Sequence, residues 1–397
     1  MLIHWIWLAL RGGISDREKL LLLEHFSTPE QLYFADGQLI SQIPNIRPEA
    51  SAALLDKRLA EAESVLNTCA RKQIHILTYQ DAAYPDRLRN IADPPMVLYY
   101  KGSVPELSGR PVIAVVGTRK ASDYGMRVAR RMGYQIGMCG GIVVSGLATG
   151  GDAMAMQGAL ESGTPVVGVL GCGADVVYPW HNEKLYADVE RAGCLLSEFP
   201  PGSKPEGWHF PRRNRIMSGM SCGVLVTEAP AGSGALITAR HGLEQGRDVF
   251  VVPGNIDEPT CAGSNALLRE GAIPACCGWD VVSEYEGLFP GKLRESHGEP
   301  RRAASRPAAD RPRKEIVPAR DKKSVDKTAA PKYSDGEAKG CTPQEQALLE
   351  AIGSEVSLVD EVIVKSRRPP SAVLSDLTLL QVKGMIEMLP GGRVRRK

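Results

Sequence analysis

The sequence contains no apolar run near the roughly 20 residues that a membrane-spanning helix needs. Its N-terminal stretch, Leu2 to Leu10, is short, holds His4, and has neither a basic lead nor a small-x-small cleavage pattern. It reads as the start of a buried helix and not as a signal peptide. No C-x-x-C pair occurs among the nine scattered cysteines, so a metal site is disfavoured. Their odd number and apolar neighbours, as in Gly193-Cys194-Leu195-Leu196, fit reduced, buried thiols in a cytoplasmic protein. The G-x-x-x-x-G-K-[ST] and H-E-x-x-H patterns are missing, which argues against ATP hydrolysis and zinc proteolysis. The seven histidines show no metal-ligand spacing. No catalytic residue, metal or cofactor is expected, and binding is favoured over catalysis.

Net charge is what the chain has little of: 48 Lys+Arg stand against 46 Asp+Glu in 397 residues, while a charged share of 24% is ordinary for a globular protein. The balance is uneven along the chain. Residues 291–340 carry 14 basic and 8 acidic side chains, many Pro and Ala, and Tyr333 as the sole aromatic, leaving −4 for the remainder. Such a segment cannot bury enough surface to fold and is expected to be a basic, disordered linker. Its positive charge serves solvation first, with a non-specific pull on polyanions besides.

Periodicity then divides the rest. Residues 1–75 show helical spacing, as in Glu18-Lys19-Leu20-Leu21-Leu22-Leu23, broken by turn signals at Ser27-Thr28-Pro29 and Ile43-Pro44-Asn45. They predict a small helical domain, SAM-like or helix-hairpin-helix-like, used for docking or packing. Residues 76–290 alternate apolar strands with helices. The strands are Val112–Val116, Ile142–Val144, Val166–Leu170, Cys194–Leu196, Gly223–Val226 and Asp248–Val252. Continuous apolar strands between helices mean a parallel sheet covered on both faces, a Rossmann-like α/β domain. Right-handed crossovers place every strand-to-helix loop at one sheet edge, where ligands bind. Residues 341–397 predict three helices: one capped by Thr342-Pro343-Gln344-Glu345 ahead of Ala347-Leu348-Leu349, one near Leu358–Val364 and one over Ser371–Val382, then a hairpin about Gly391-Gly392. This is the winged-helix pattern, with Lys383 as the chief positive residue of the third helix and little to read a duplex sequence, so a protein-interaction or dimer-modulating role fits at least as well.

The loops carry the chemistry. Gly117-Thr118-Arg119-Lys120-Ala121-Ser122 lets backbone approach an anion at a helix N-terminus, and Arg119 adds a forked, permanent charge. It is not the dinucleotide G-x-G-x-x-G, and Val144-Ser145-Gly146 offers no acid for a ribose. Ser145-Gly146-Leu147-Ala148-Thr149-Gly150-Gly151-Asp152 and Gly171-Cys172-Gly173-Ala174-Asp175 extend the rim, as does Gly232-Ser233-Gly234. A fourth stretch, Trp208-His209-Phe210-Pro211-Arg212-Arg213-Asn214-Arg215, is read as a loop before a helix. Its aromatics suit base stacking and its arginines suit phosphates. The competing reading makes Phe210 core and pairs the arginines with Glu198 or Glu228. Asp152, Asp175 and Glu228 near this edge are read as caps and loop staples.

These motifs, with Tyr84-Pro85, Asp93-Pro94-Pro95, Phe210-Pro211-x-Arg213-Asn214-Arg215-Ile216, Gly232-Ser233-Gly234-Ala235-Leu236-Ile237-Thr238-Ala239 and Val252-Pro253-Gly254, resemble the bacterial DNA-processing protein A family (DprA, also called Smf). The resemblance covers residues 78–290 densely and agrees with the three-part layout. It implies a single-stranded DNA-binding protein of natural transformation that protects incoming DNA and loads the RecA recombinase. It further implies a homodimer without established catalytic activity. By motif position, Arg119 would be a principal phosphate contact over a floor of Gly117, Ser122, Ser145 and Gly146. Phe210, Arg213, Asn214 and Arg215 would share the strand-binding surface. The chain departs from the family at Gly151 and Met156, and at Gly207, where some members carry lysine. A distinct alternative is a Rossmann-like enzyme that binds nucleotides or cleaves their N-glycosidic bonds, although its P-G-G-x-G-T-x-x-E signature is not present.

Overall fold

The structure, a computed structural model, describes residues 1–300, 343–353, 357–366, 368, 370–389 and 393–396. The chain divides into two compact units, Met1–Ala309 and Asp310–Lys397.

Nine strands build the first unit: β1 (His75–Thr78), β2 (Val97–Gly102), β3 (Val112–Val116), β4 (Ile142–Ser145), β5 (Val166–Leu170), β6 (Cys194–Ser197), β7 (Gly223–Val226), β8 (Asp248–Val251) and β9 (Ile273–Pro274). They form one sheet in the order β1-β2-β6-β5-β4-β3-β7-β8-β9. Strands β3 to β9 are parallel, and β1 and β2 extend one edge antiparallel. The architecture is Rossmann-like, and all six strands expected from the sequence are present. The three strands that sequence reading missed lack continuous apolar runs: β1 and β2 carry His75, Tyr100 and Lys101, and β9 is two residues long.

Side chains alternate across each strand, and this splits the core into two layers. Ile113 and Val115 enter the layer containing Val128, Met132 and Ala155. Val112, Ala114 and Val116 face Ile216, Met217 and Ala239 on the other side. In the first layer, helices Asp123–Met138 and Gly151–Glu161 meet backbone to backbone. A Cβ on Gly158 would lie 1.9 Å from the Arg130 carbonyl oxygen, and one on Gly133 would lie 2.0 Å from that of Ala155. Neither partner can swing away as a side chain does. Gly158→Ala should therefore destabilise by about 3 kcal/mol, the upper part of the range for overpacked sites. Differential scanning calorimetry checks this, and an unchanged melting temperature would refute the contact.

The N-terminal helices bury Ile6, Trp7, Leu22, Leu32 and Leu54 together with Met96, Val97 and Tyr99, so their core is continuous with β2. Helix Asp16–Phe26 opens with a capping box in which Ser15 and Glu18 satisfy each other's backbone amides, as S-x-x-E predicts. The first residues of the expected linker are tied to this unit: the Arg294 backbone amide donates to the Cys139 carbonyl, and its side-chain Nε donates to the Met138 carbonyl. Residues 301–340 of that linker lie outside the described residues.

The second unit has helices Pro343–Ile352, Val359–Ser366 and Pro370–Val382, with strands β10 (Ser357–Leu358), β11 (Ile386–Leu389) and β12 (Arg393–Arg396). The strands pair antiparallel in the order β10-β12-β11. Leu349, Val362, Val373, Leu377, Leu380 and Val394 form its core. This is a winged helix.

Among the described residues, no helix is long and apolar enough to cross a membrane. The expectation of buried thiols holds for six of the described cysteines, but Cys276 is exposed and Cys277 half-buried. The reason is local: both lie in the short connection between β9 and the Gly278–Val282 helix, whereas Cys69, Cys139, Cys172, Cys194 and Cys222 belong to the apolar cores.

Candidate nucleic-acid interface

Strand order reverses at β3. The chain passes outward through β4, β5 and β6, then returns to β7, β8 and β9 on the other side of β3. The crevice outside the carboxyl ends of β3 and β7 is therefore the topological switch point. A cleft of about 780 Å³ opens there, lined by Gly117, Arg119, Lys120, Phe210, Arg213, Asn214 and Gly232 to Gly234, among others.

Arg119 follows β3 directly and is exposed. Its guanidinium sits 5.2 Å from the centroid of the Phe210 ring, a cation–π arrangement that leaves the fork open to an anion. Tyr178 also neighbours the ring, with centroids 5.6 Å apart. Phe210 itself rests on Gly171, where a Cβ would come within 2.9 Å of the ring. The half-buried aromatic is thus placed against a glycine and a cation.

Loop closeness has a simple origin. A Cβ on Gly117 would meet the Thr227 hydroxyl at 2.6 Å and the Gly151 Cα at 2.9 Å, so only glycine lets the first two loops touch. The Gly117 amide donates to Asp152 at 3.1 Å. Asp152 is buried, and burial raises its carboxyl above the ordinary range while the Arg213 charge and backbone amides oppose this. It staples the loops and does not serve as the N-cap of its helix, where Gly150 stands.

The other expected residues divide sharply. Gly232, Ser233 and Gly234 line the cleft, and Ser233 caps helix Gly234–Glu244 through the Ala235 amide. Asn214 lines it too and donates to the Gly234 carbonyl at 3.3 Å. Arg213 contributes to the wall, but it is buried and donates to the Val169 carbonyl. Burial pushes its guanidinium below the usual value, with Asp152 acting in the opposite direction. Gly146 lies under Arg213, since a Cβ there would fall 2.0 Å from Nη1. Ser145 is a support: its buried hydroxyl donates to the Val115 carbonyl at 2.8 Å. Ser122 is another, capping helix Asp123–Met138 at the Gly125 amide and donating to Glu228 at 3.1 Å.

Three expectations need correction. The stretch from His209 is helical, as part of His209–Met220; Pro211 falls in the first turn, where its missing N–H costs nothing. Arg215 is turned away from the cleft. It is 5% exposed on its side chain and bound to Glu198 at 2.6 Å, Asp93 at 3.2 Å and Asp16 at 3.2 Å. The ion-pair reading with Glu198 is the correct one for Arg215 and Arg212. Finally, the Gly171–Asp175 loop offers no open anion rim: the Gly173 amide donates to Ser203, and Asp175 holds Lys72 and the Gly202 amide. Burial tends to raise the Asp175 carboxyl, but Lys72 and the Gly202 amide bring it below its ordinary value.

Sequence reading missed Tyr178, Lys120 and Thr260 as cleft residues. Lys120 was visible as the neighbour of Arg119. Tyr178 and Thr260 have no local signal, because each reaches the cleft from a connection after a different strand. Gly219-Met220-Ser221-Cys222-Gly223 spells G-x-S-x-G, yet it leads from a helix into β7, the reverse of a nucleophile elbow. The buried Ser221 hydroxyl donates to the Met217 carbonyl. Among the described residues, no group of three or more His, Cys, Asp or Glu is placed to hold a metal ion.

Comparison with known proteins matches this geometry to one family. Residues 75–286 match the family described as DNA recombination-mediator protein A, and residues 328–392 match the DprA winged helix domain. Protein Smf of Synechocystis sp. is 34% identical over 410 residues, covering 99% of this chain and 98% of that protein. DNA processing protein DprA of Bacillus subtilis is 39% identical over 220 residues, 55% of this chain and 74% of that protein. The solved structure of DNA processing protein A from Streptococcus pneumoniae superposes with a TM-score of 0.63 at 32% identity, covering 72% of this chain and 98% of that one. The chain belongs to the DNA recombination-mediator protein A family.

Proposed function

We propose that this chain binds single-stranded DNA in the Arg119–Phe210 cleft, shields it, and loads a RecA recombinase onto it during natural transformation. One observation carries the reading: an exposed arginine held over a half-buried aromatic ring at the switch point of the sheet. A phosphate takes the free guanidinium fork, and an unpaired base takes an aromatic face. Gly232 and Gly234 bear no side chain into the cleft, so a backbone can pass close to the helix N-terminus behind them. The family's description as a recombination mediator supports the hand-off to RecA.

On this reading residues 76–290 bind DNA, residues 1–75 dock or pack, and residues 341–397 contact a partner. The protein acts as a cytoplasmic homodimer and performs no catalysis. The carboxylates nearest the cleft support that last point, because Asp152 is held by the Gly117 amide and Glu228 by Ser122. Incubation with AMP should accordingly release no adenine.

Fluorescence anisotropy with a labelled oligo-dT and a duplex of equal length tests the binding. Single strands should bind more tightly at moderate salt, because stacking needs unpaired bases. Equal affinity for both would overturn the proposal.

A further inference from the structure

The helix that carries Phe210, Arg213 and Asn214 is gripped from behind by the N-terminal helices. Arg212 and Arg215 project from His209–Met220 on the side away from Phe210 and Asn214, as 100° per residue requires. Asp16, in the first turn of helix Asp16–Phe26, reaches both: 2.9 Å to Arg212 and 3.2 Å to Arg215. Glu198, just after β6, also bridges them, at 2.9 Å and 2.6 Å. Asp93 takes the Arg215 Nε at 3.2 Å, and Lys19 lies 3.5 Å from Asp16. Three cations thus meet three carboxylates. Asp16 and Glu198 are about nine-tenths buried, and Arg215 and Lys19 more so.

Asp16 is itself held in place. Its neighbour Glu18 closes the capping box and receives Arg47 through both carboxylate oxygens, at 2.9 Å and 2.8 Å. The carboxylate that holds the DNA-facing helix is therefore part of a rigid first turn.

We infer that Asp16 is a positioning residue for DNA binding: through Arg212 and Arg215 it sets the helix that aims Phe210 at Arg119. Removing its charge leaves Arg212, Arg215 and Lys19 facing only Glu198 and Asp93. The surplus cation in a largely buried site drives the arginines apart and shifts the first helical turn, where Phe210 sits. This rests on the cleft being the DNA site.

The test uses the full chain and oligo-dT anisotropy on wild type, Asp16→Asn, Asp16→Glu and Leu22→Ala. Leu22 is fully buried on the same helix, so Leu22→Ala lowers stability without touching the network. Asp16→Asn should weaken binding roughly 3- to 30-fold, the usual reach of a residue that acts through a network. Asp16→Glu should restore part of the loss, and Leu22→Ala should bind as wild type below its melting range. Arg212→Lys, which keeps the charge but loses the two-point fork onto Glu198, repeats the test more gently should Asp16→Asn not fold. Wild-type binding with Asp16→Asn unaffected, or with Leu22→Ala equally weakened, would overturn the inference alone. A wild type that fails to bind oligo-dT would overturn the cleft assignment and this inference with it.

Discussion

Replacing Phe210 with alanine should weaken oligo-dT binding by roughly 5- to 150-fold, the equivalent of about 1–3 kcal/mol for one stacked base. The ring is positioned for that role: Gly171 supports one side, Tyr178 flanks it, and the Arg119 guanidinium stands 5.2 Å from its centroid. The loss should be the same for any base sequence, since every base has a π face. Phe210→Leu separates stacking from packing. It fills much of the same space but has no π face, so it should melt near the wild-type temperature and still bind weakly. Phe210→Trp should bind as well as the wild type or better. Anisotropy titrations beside thermal melts decide the matter, and a Phe210→Leu protein with wild-type affinity would refute stacking.

Arg119→Ala should produce the second large loss, and its signature is different. If Arg119 neutralises one phosphate, its removal lowers affinity and flattens the slope of log K against log[salt] by about 0.7, the single-strand value per contact. Arg119 is exposed and supports no core, so the melting temperature should not move. Arg119→Lys should recover only part of the affinity, because an ammonium keeps the charge and loses the fork. Phe210→Ala, by contrast, should leave the salt slope nearly unchanged. Titrations at several salt concentrations distinguish the two, and an unaltered slope for Arg119→Ala would remove it from the phosphate path.

The parts of this protein that were legible in its sequence are those written locally. Val112–Val116 and its five companion strands announce themselves as apolar β-branched runs, and the loops after them follow from parallel topology. Gly117, Arg119 and Gly232 to Gly234 were readable because glycine and arginine at a strand-to-helix turn have few other uses. The three arginines after Phe210 were not separable in this way. Arg212, Arg213 and Arg215 have the same side chain within four residues, but helix geometry sends them to different fates. Arg213 faces the sheet and donates to Val169, whereas Arg212 and Arg215 meet Asp16, 196 and 199 residues away. A charge count sees all three as candidates for phosphate; only tertiary partners show which charge is already spent. Tyr178 is the converse case, a cleft aromatic with no motif around it. The antiparallel strands β1 and β2 escaped because each is partly solvated at one end, so their pattern mixes Tyr, Lys and His with apolar residues.

The same reasoning explains the loop carboxylates. Asp152 and Glu228 lie beside the cleft proposed for DNA, where on that proposal a free negative charge would repel the strand. Each instead accepts backbone or hydroxyl donors from the loop that carries Arg119: Asp152 from Gly117, and Glu228 from Ser122. Their charge is used to fix the loop, and the outward face of the cleft is left to Arg119 and Lys120.

Photo-crosslinking places the strand most directly. Oligo-dT carrying 5-bromodeoxyuridine, irradiated in complex with the full chain and mapped by mass spectrometry, should yield adducts on Phe210 or Tyr178, and these should be lost in Arg119→Ala. Adducts confined to residues 343–397, with none on the peptides bearing Tyr178 and Phe210, would contradict the cleft as the site of DNA binding.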